Sequence, residues 1–315
     1  MFKADKKSKL LEILILSVLI LSFVAGAVFA YIPLSANAET SVNYKSKSLV
    51  AIDPVSKLVV FEKNAHEKLP VASVVKVMTM LLTMEYVECN DISLETEITV
   101  SENASSMGGS QVFLETGGTY KLGELIKSVM VASANDSAVA LAEFVSGTHE
   151  NFVARMNERA TELGMNDTVY VNATGLPQAG QFSTAYDISL VFSELIKHEK
   201  LFDYSKIWME DFIHPEGRTT MMANTNKLLR SYKSCDIGKT GFTNEAMFCF
   251  AASAEKDGTR VVAVVLGAPT SKDRFAETTD LFNTTFASYC NKKLLDTNEA
   301  LEIEIKNAKK DSILV

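Results

Sequence analysis

The elements that the sequence predicts run in a fixed order: two strands, a series of helices, then three strands and a last helix. That order specifies a mixed α/β fold, an antiparallel sheet of about five strands with helices on both sides plus a mostly helical subdomain. Three observations carry the prediction. Residues 48–53 and 57–62 are apolar runs flanking Pro54-Val55-Ser56, the pattern of a strand hairpin. From residue 73 to about 198, apolar positions recur at helical spacing. From about residue 235 the pattern changes to short Val- and Ala-rich runs joined by tight turns.

In chain order, Lys3, Lys6, Lys7 and Lys9 precede an apolar run from Leu10 to Leu34, and Ala36-Asn37-Ala38 supplies a small-x-small cleavage pattern. Residues 1–38 therefore read as an export signal, with the helix-breaking Pro33 placed where a cleavage region belongs. Left uncut, a run of this length would anchor the chain in a membrane. The body is expected over 39–291. A helix over 73–89 carries Val77, Met80, Leu81 and Met84 on one face, with Pro70 upstream. Helices follow over 122–131, 136–145 (stopped by Gly147), 149–163 (stopped by Gly164) and 187–198. Strands are expected over 236–241, 246–253 and 260–266, with Asp257-Gly258 as the last turn, and an amphipathic helix over 272–289 closes the body.

Composition narrows the function. The 315 residues are 47% hydrophobic with only six prolines, which excludes a disordered or collagen-like chain. With 31 Lys+Arg against 39 Asp+Glu, the net charge of -8 and the lack of basic runs in the body exclude a nucleic-acid partner. Cys89, Cys235, Cys249 and Cys290 form no Cys-x-x-Cys pair and read as free buried thiols, so no metal site is expected. His66, His149, His198 and His214 are scattered, and each reads as a lone surface or core histidine. His-Glu-x-x-His, Gly-x-Ser-x-Gly, the Walker loop and Gly-x-Gly-x-x-Gly are all absent from the sequence.

What remains is Ser73-Val-Val-Lys76 at the start of a helix. Three residues along a helix put both side chains on one face, so the amine reaches the hydroxyl. A desolvated lysine near a second cation is neutral enough to take the serine proton, and the helix start offers N–H groups to an oxyanion. Ser-x-x-Lys is common by chance, and Ser253-Ala-Glu-Lys256 is read as such a coincidence. Ser133-Ala-Asn135 lies between two predicted helices, and Lys239-Thr240-Gly241 lies on a predicted strand, where a cation, a hydroxyl and a residue without a side chain suit a carboxylate-bearing peptide along the strand edge.

The ordered set Ser-x-x-Lys, Ser-x-Asn, Lys-Thr-Gly resembles the penicillin-binding proteins and serine β-lactamases, and within them the low-molecular-mass D-alanyl-D-alanine carboxypeptidases. The flanks Phe61-Glu-Lys-Asn-Ala-His-Glu-Lys-Leu-Pro-Val-Ala-Ser73, Ala173-Thr-Gly-Leu-Pro, Gly180-Gln-Phe-Ser-Thr-Ala-Tyr-Asp187 and Gly267-Ala-Pro-Thr-Ser-Lys-Asp-Arg274 extend the resemblance over about residues 45–290. It implies a β-lactamase/transpeptidase-like fold and removal of the terminal D-alanine from peptidoglycan stem pentapeptides, without metal or organic cofactor. The same resemblance implies β-lactams as covalent inhibitors and action on the outer face of the cytoplasmic membrane or in the wall. By the same resemblance, Ser73 is the nucleophile, Lys76 its base and Ser133 a proton relay with Lys76 and Lys239. Asn135 would hold the substrate amide, and Lys239 and Thr240, with Arg274, the terminal carboxylate. Gly241 belongs to the binding strand, and the backbone N–H groups of Ser73 and Phe242 would form the oxyanion hole. For Arg274 a surface position at a helix start is the competing reading. The rival functions are a serine β-lactamase and a catalytically silent wall-binding protein. The loop after Asn172 lacks a Glu-x-x-x-Asn element for a deacylating water, which favours the peptidase.

Relatives of this kind carry a second, β-rich domain. Here residues 300–306 alternate like one strand and 307–312 resemble a turn. One strand without a sheet cannot bury its apolar face, so residues 292–315 are expected to be poorly ordered or to lean on the body.

Overall fold

The computed structural model describes residues 43–291 together with the backbone of residues 302–304 and 312–314. The expected export signal over 1–38 lies outside the described residues, as does most of the tail. Among the described residues, no helix is long and apolar enough to cross a membrane.

Five strands form the antiparallel sheet: β1 (Ser48–Ile52), β2 (Val59–Lys63), β7 (Cys235–Thr243), β8 (Met247–Lys256) and β9 (Thr259–Ala268), in the order β2-β1-β9-β8-β7. The first and last segments of the body thus meet in one sheet, with β9 beside β1. Side chains alternate across a strand. On β9, Val262, Val264 and Leu266 enter one core while Val261, Ala263 and Val265 enter another; on β1, Val50 and Ile52 divide from Leu49 and Ala51 in the same way. Apolar residues on both faces require a cover on both faces. One cover is the helix Ser271–Ser288, which buries Phe275, Leu281 and Phe282; the other is the helical subdomain.

That subdomain contains α1 (Lys76–Cys89), α2 (Leu122–Ala132), α3 (Asn135–Ser146), α4 (His149–Glu162) and α5 (Ala185–Leu195). Helix α1 is buried along nearly its whole length, from Lys76 through Met84, as the central helix of a core must be. Local chemistry sets the helix ends. Thr148 and Thr184 accept N-cap bonds from Asn151 N at 3.1 Å and Asp187 N at 3.0 Å, and Gly147 follows α3 at φ 77°. The closing helix, α6 (Ser271–Ser288), is capped by Thr270, which accepts from Asp273 N at 3.0 Å.

Two small hairpins were not predicted: β3 (Glu97–Thr99) with β4 (Thr119–Lys121), and β5 (Met209–Ile213) with β6 (Thr219–Ala223). The reading of 300–306 as a lone strand is corrected in one respect. Residues 302–304 pair antiparallel with 312–314, Glu302 opposite Leu314, so Ser312 is a strand residue rather than the end of a turn. The cysteine reading is also corrected: all four are free, but Cys89 and Cys290 are exposed and only Cys235 and Cys249 are buried.

Candidate active site

Ser73 lies in a 3-10 turn, Ala72–Val75, and Lys76 opens α1 immediately after it. The helical pitch brings the Lys76 Nζ to donate to Ser73 Oγ at 3.0 Å, and the amine also donates to Asn135 Oδ1 at 2.5 Å and to the Thr174 carbonyl at 2.6 Å. Lys76 has 0% of its surface exposed. Burial, reinforced by the positive charge of Lys239, holds its amine well below the usual lysine range, while the Asp136 carboxylate pulls the other way.

Ser133 sits between α2 and α3 in the left-handed region, φ 62°, which turns its hydroxyl toward β7. There Lys239 Nζ donates to Ser133 Oγ at 2.7 Å and to the Thr240 carbonyl at 2.9 Å. Lys239 is 2% exposed, and burial together with the nearby Arg274 charge pushes it down to about 7. The structure therefore brings Ser73, Lys76, Ser133, Asn135 and Lys239 into one linked cluster, although they come from three parts of the chain.

Thr240, Gly241 and Phe242 lie along the edge strand β7, and Arg274 lies on α6. The Thr240 hydroxyl makes none of the hydrogen bonds among the described residues. Gly241 lies against the turn that carries Ser73: a Cβ there would stand 2.7 Å from the Val71 carbonyl oxygen and 3.1 Å from the Ser73 nitrogen. Phe242 is 52% exposed, its ring tilted on Phe248 with centroids 4.4 Å apart. Arg274 is not on the surface. At 8% exposure it is sandwiched between Phe248 and Phe275, and its Nη1 donates to the Gly241 carbonyl at 3.0 Å and the Cys249 carbonyl at 3.2 Å. Burial lowers it to about 10. Its contacts fix the position of β7 against β8 and α6. Asn135, expected to hold a substrate amide, has both ends engaged: Oδ1 accepts from Lys76 and Nδ2 donates to the Gly108 carbonyl at 2.7 Å.

Sequence reasoning missed two residues that build this site. Asp136 is fully buried, and its carboxylate accepts from Val112 N at 3.1 Å and Leu114 N at 3.0 Å, pinning the loop beside Asn135. In the sequence it looks like any acid in the first turn of a helix. Asn172 Oδ1 accepts from Thr174 N at 3.1 Å and Gly175 N at 2.7 Å, which aims the Thr174 carbonyl at Lys76. An Asn followed by Thr-Gly two residues on is an Asx-turn signal that was available. None of the four histidines contacts this cluster: His149 accepts from Ala173 N at 3.2 Å, and His214 is buried against Tyr120 and Thr220. Among the described residues, no group of His, Cys, Asp and Glu is placed to hold a metal ion. Ser253, in the second Ser-x-x-Lys match, accepts from Arg260 at 2.8 Å on β8 and is remote in role from the cluster.

A five-stranded antiparallel sheet between helical layers, with a serine on a buried lysine and a second buried lysine on the edge strand, defines a serine-type acyl-transfer hydrolase. A sequence profile of the D-alanyl-D-alanine carboxypeptidase family matches residues 35–270, and the chain belongs to that family. It is 37% identical over 307 residues to the D-alanyl-D-alanine carboxypeptidase DacF of Bacillus subtilis, covering 97% of this chain and 78% of the relative. It is 34% identical over 281 residues to DacC of Escherichia coli, covering 84% of this chain and 68% of the relative. Among solved structures, penicillin-binding protein 5 from Haemophilus influenzae is similar with a TM-score of 0.76 at 27% identity, over 87% of this chain and 80% of that one. The chain is thus a serine-type carboxypeptidase of the penicillin-binding kind.

Proposed function

We propose that this protein removes the terminal D-alanine from peptidoglycan stem pentapeptides through an acyl-enzyme on Ser73, with water as the acceptor, and that β-lactams acylate the same hydroxyl. Lys76 takes the Ser73 proton as Oγ attacks the carbonyl carbon between the two D-alanines. The developing oxyanion lies between the backbone N–H groups of Ser73 and Phe242, each donor of such a pair being worth about 10²- to 10³-fold in rate. Collapse of the tetrahedral intermediate breaks the C–N bond, and the leaving amine receives a proton through Ser133. Lys239 and the Thr240 hydroxyl hold the terminal carboxylate. Water then attacks the ester, releases the shortened peptide and restores Ser73.

The observation that carries this reading is the contact of Lys76, buried and held well below the usual lysine range, with Ser73 Oγ at 3.0 Å, beside a Lys239 that reaches Ser133 at 2.7 Å. The lysine-flanked apolar run and the Ala36-Asn37-Ala38 cleavage pattern support export, with the enzyme acting on the extracellular or periplasmic face of the cytoplasmic membrane or in the wall; left uncut, the same segment would hold it at the membrane. The test is D-alanine release from diacetyl-L-Lys-D-Ala-D-Ala. The wild type is expected to release it and Ser73→Ala is not; release that survives Ser73→Ala would overturn the assignment.

A further inference from the structure

A cavity of about 400 Å³ opens beside Ser73, lined on one wall by Ala72 and Gly175, on another by Gln178 and Gln181, and on the third by Thr243 and Glu245. Its position along β7 gives it a direction. If Thr240 marks the carboxylate end of a bound peptide and the Phe242 N–H the scissile carbonyl, the acyl side continues past Thr243. An extended chain advances about 3.3 Å per residue. The residue before the one acylated on Ser73 therefore comes level with Thr243 and the turn after it. The Thr243 hydroxyl accepts from Ala246 N at 3.0 Å and so fixes the turn that presents Glu245.

The polar groups of the cavity are not equivalent. The Gln181 Oε1 accepts from Val171 N and Asn172 N at 3.1 Å each, and the Gln178 Oε1 accepts from Asn172 Nδ2 at 3.2 Å. Both glutamine carbonyls are committed to holding the 172–181 loop. Glu245 is exposed and is the one ionisable side chain among the described residues that line the cavity. A long side chain placed there meets Pro177 and Ala179 along a mixed polar and apolar wall, and one anionic acceptor, the exposed Glu245.

We infer that this cavity takes the side chain of the acyl-side residue one removed from the scissile bond, and that Glu245 selects for an ammonium at its end. This rests on the substrate orientation of the proposed function. A half-exposed charge pair is worth a modest factor, about fivefold in kcat/KM.

The test compares two peptides, Nα-acetyl-L-Lys-D-Ala-D-Ala with its side-chain ammonium and the same peptide acetylated also on that amine. The quantity read is the ratio of their kcat/KM values. The wild type is expected to prefer the ammonium about fivefold, Glu245→Gln to bring the ratio near one, and Glu245→Lys to bring it below one. D-alanine release from either peptide upholds the underlying reaction whatever the ratio. A ratio of one in the wild type, or one that does not move in the variants, overturns the inference alone; no release from either peptide overturns both.

Discussion

Lys76 makes its three hydrogen bonds to a hydroxyl, a side-chain amide and a peptide carbonyl, none of which carries a full negative charge. A desolvated ammonium without a counter-ion gives up its proton readily, and that makes this lysine suitable as a base. Lys239 feels the same burial but keeps its proton up to about 7, below which it is charged and above which it becomes neutral. Binding of a carboxylate favours the charged form, so the free enzyme should lose affinity as pH rises through neutrality. The expected result is an alkaline limb in kcat/KM that Lys239→Arg removes, because a guanidinium stays protonated, even though the overall rate falls. An alkaline limb unchanged in Lys239→Arg would assign it elsewhere. Since Lys239 also lowers Lys76, the observed limbs belong to the pair. Both lysines were legible in the sequence through motif spacing. Asp136 was not, because nothing in a sequence separates a carboxylate that pins a loop from one that only complements a helix start. For Arg274 the competing reading as a surface residue fails for a related reason: its position at the start of α6 conceals the two aromatic rings that enclose it.

At the scale of elements, the site is the place where the edge strand β7 meets the turn before α1 and the loop 172–175. Each approach is close enough to forbid a side chain. At Gly175, φ is +80° and a Cβ would lie 2.0 Å from the Ala72 carbonyl oxygen and 2.8 Å from the Ser73 nitrogen. Gly175→Ala is therefore expected to destabilise the fold by about 2 kcal/mol or more and to slow Ser73 acylation, since the turn and the loop must part. Chemical denaturation and acylation kinetics check both effects; wild-type stability with wild-type acylation would show that the contact is not tight. Strands β7 to β9 were readable because their Val- and Ala-rich runs are buried and bounded by turns such as Asp257-Gly258. The β3–β4 hairpin was not readable: its strands have three residues each, and only Ile98 and Tyr120 are buried, too short a stretch for alternation to register.

Over the whole molecule, Ser73 and Lys76 come from the helical side and Lys239 from the sheet, with Ser133 and Asn135 between them. The sheet unites the beginning and end of the body, β1 beside β9, and this closure sets residue 239 against residue 133. The order of the motifs was written in the sequence, as was the sheet-and-helix layering; the distances arise only when both cores close on the two faces of β9. Ser73, Lys76 and Lys239 are proposed to act in one cleft. The most direct test is the rate and location of acylation by a penicillin, followed by mass spectrometry of the intact and digested protein, in the wild type and in Lys239→Ala. A single adduct on Ser73 is expected, forming at least about a hundredfold more slowly in the variant. An adduct on another serine, or one that forms on Ser73 at the same rate without the Lys239 amine, would contradict the proposal.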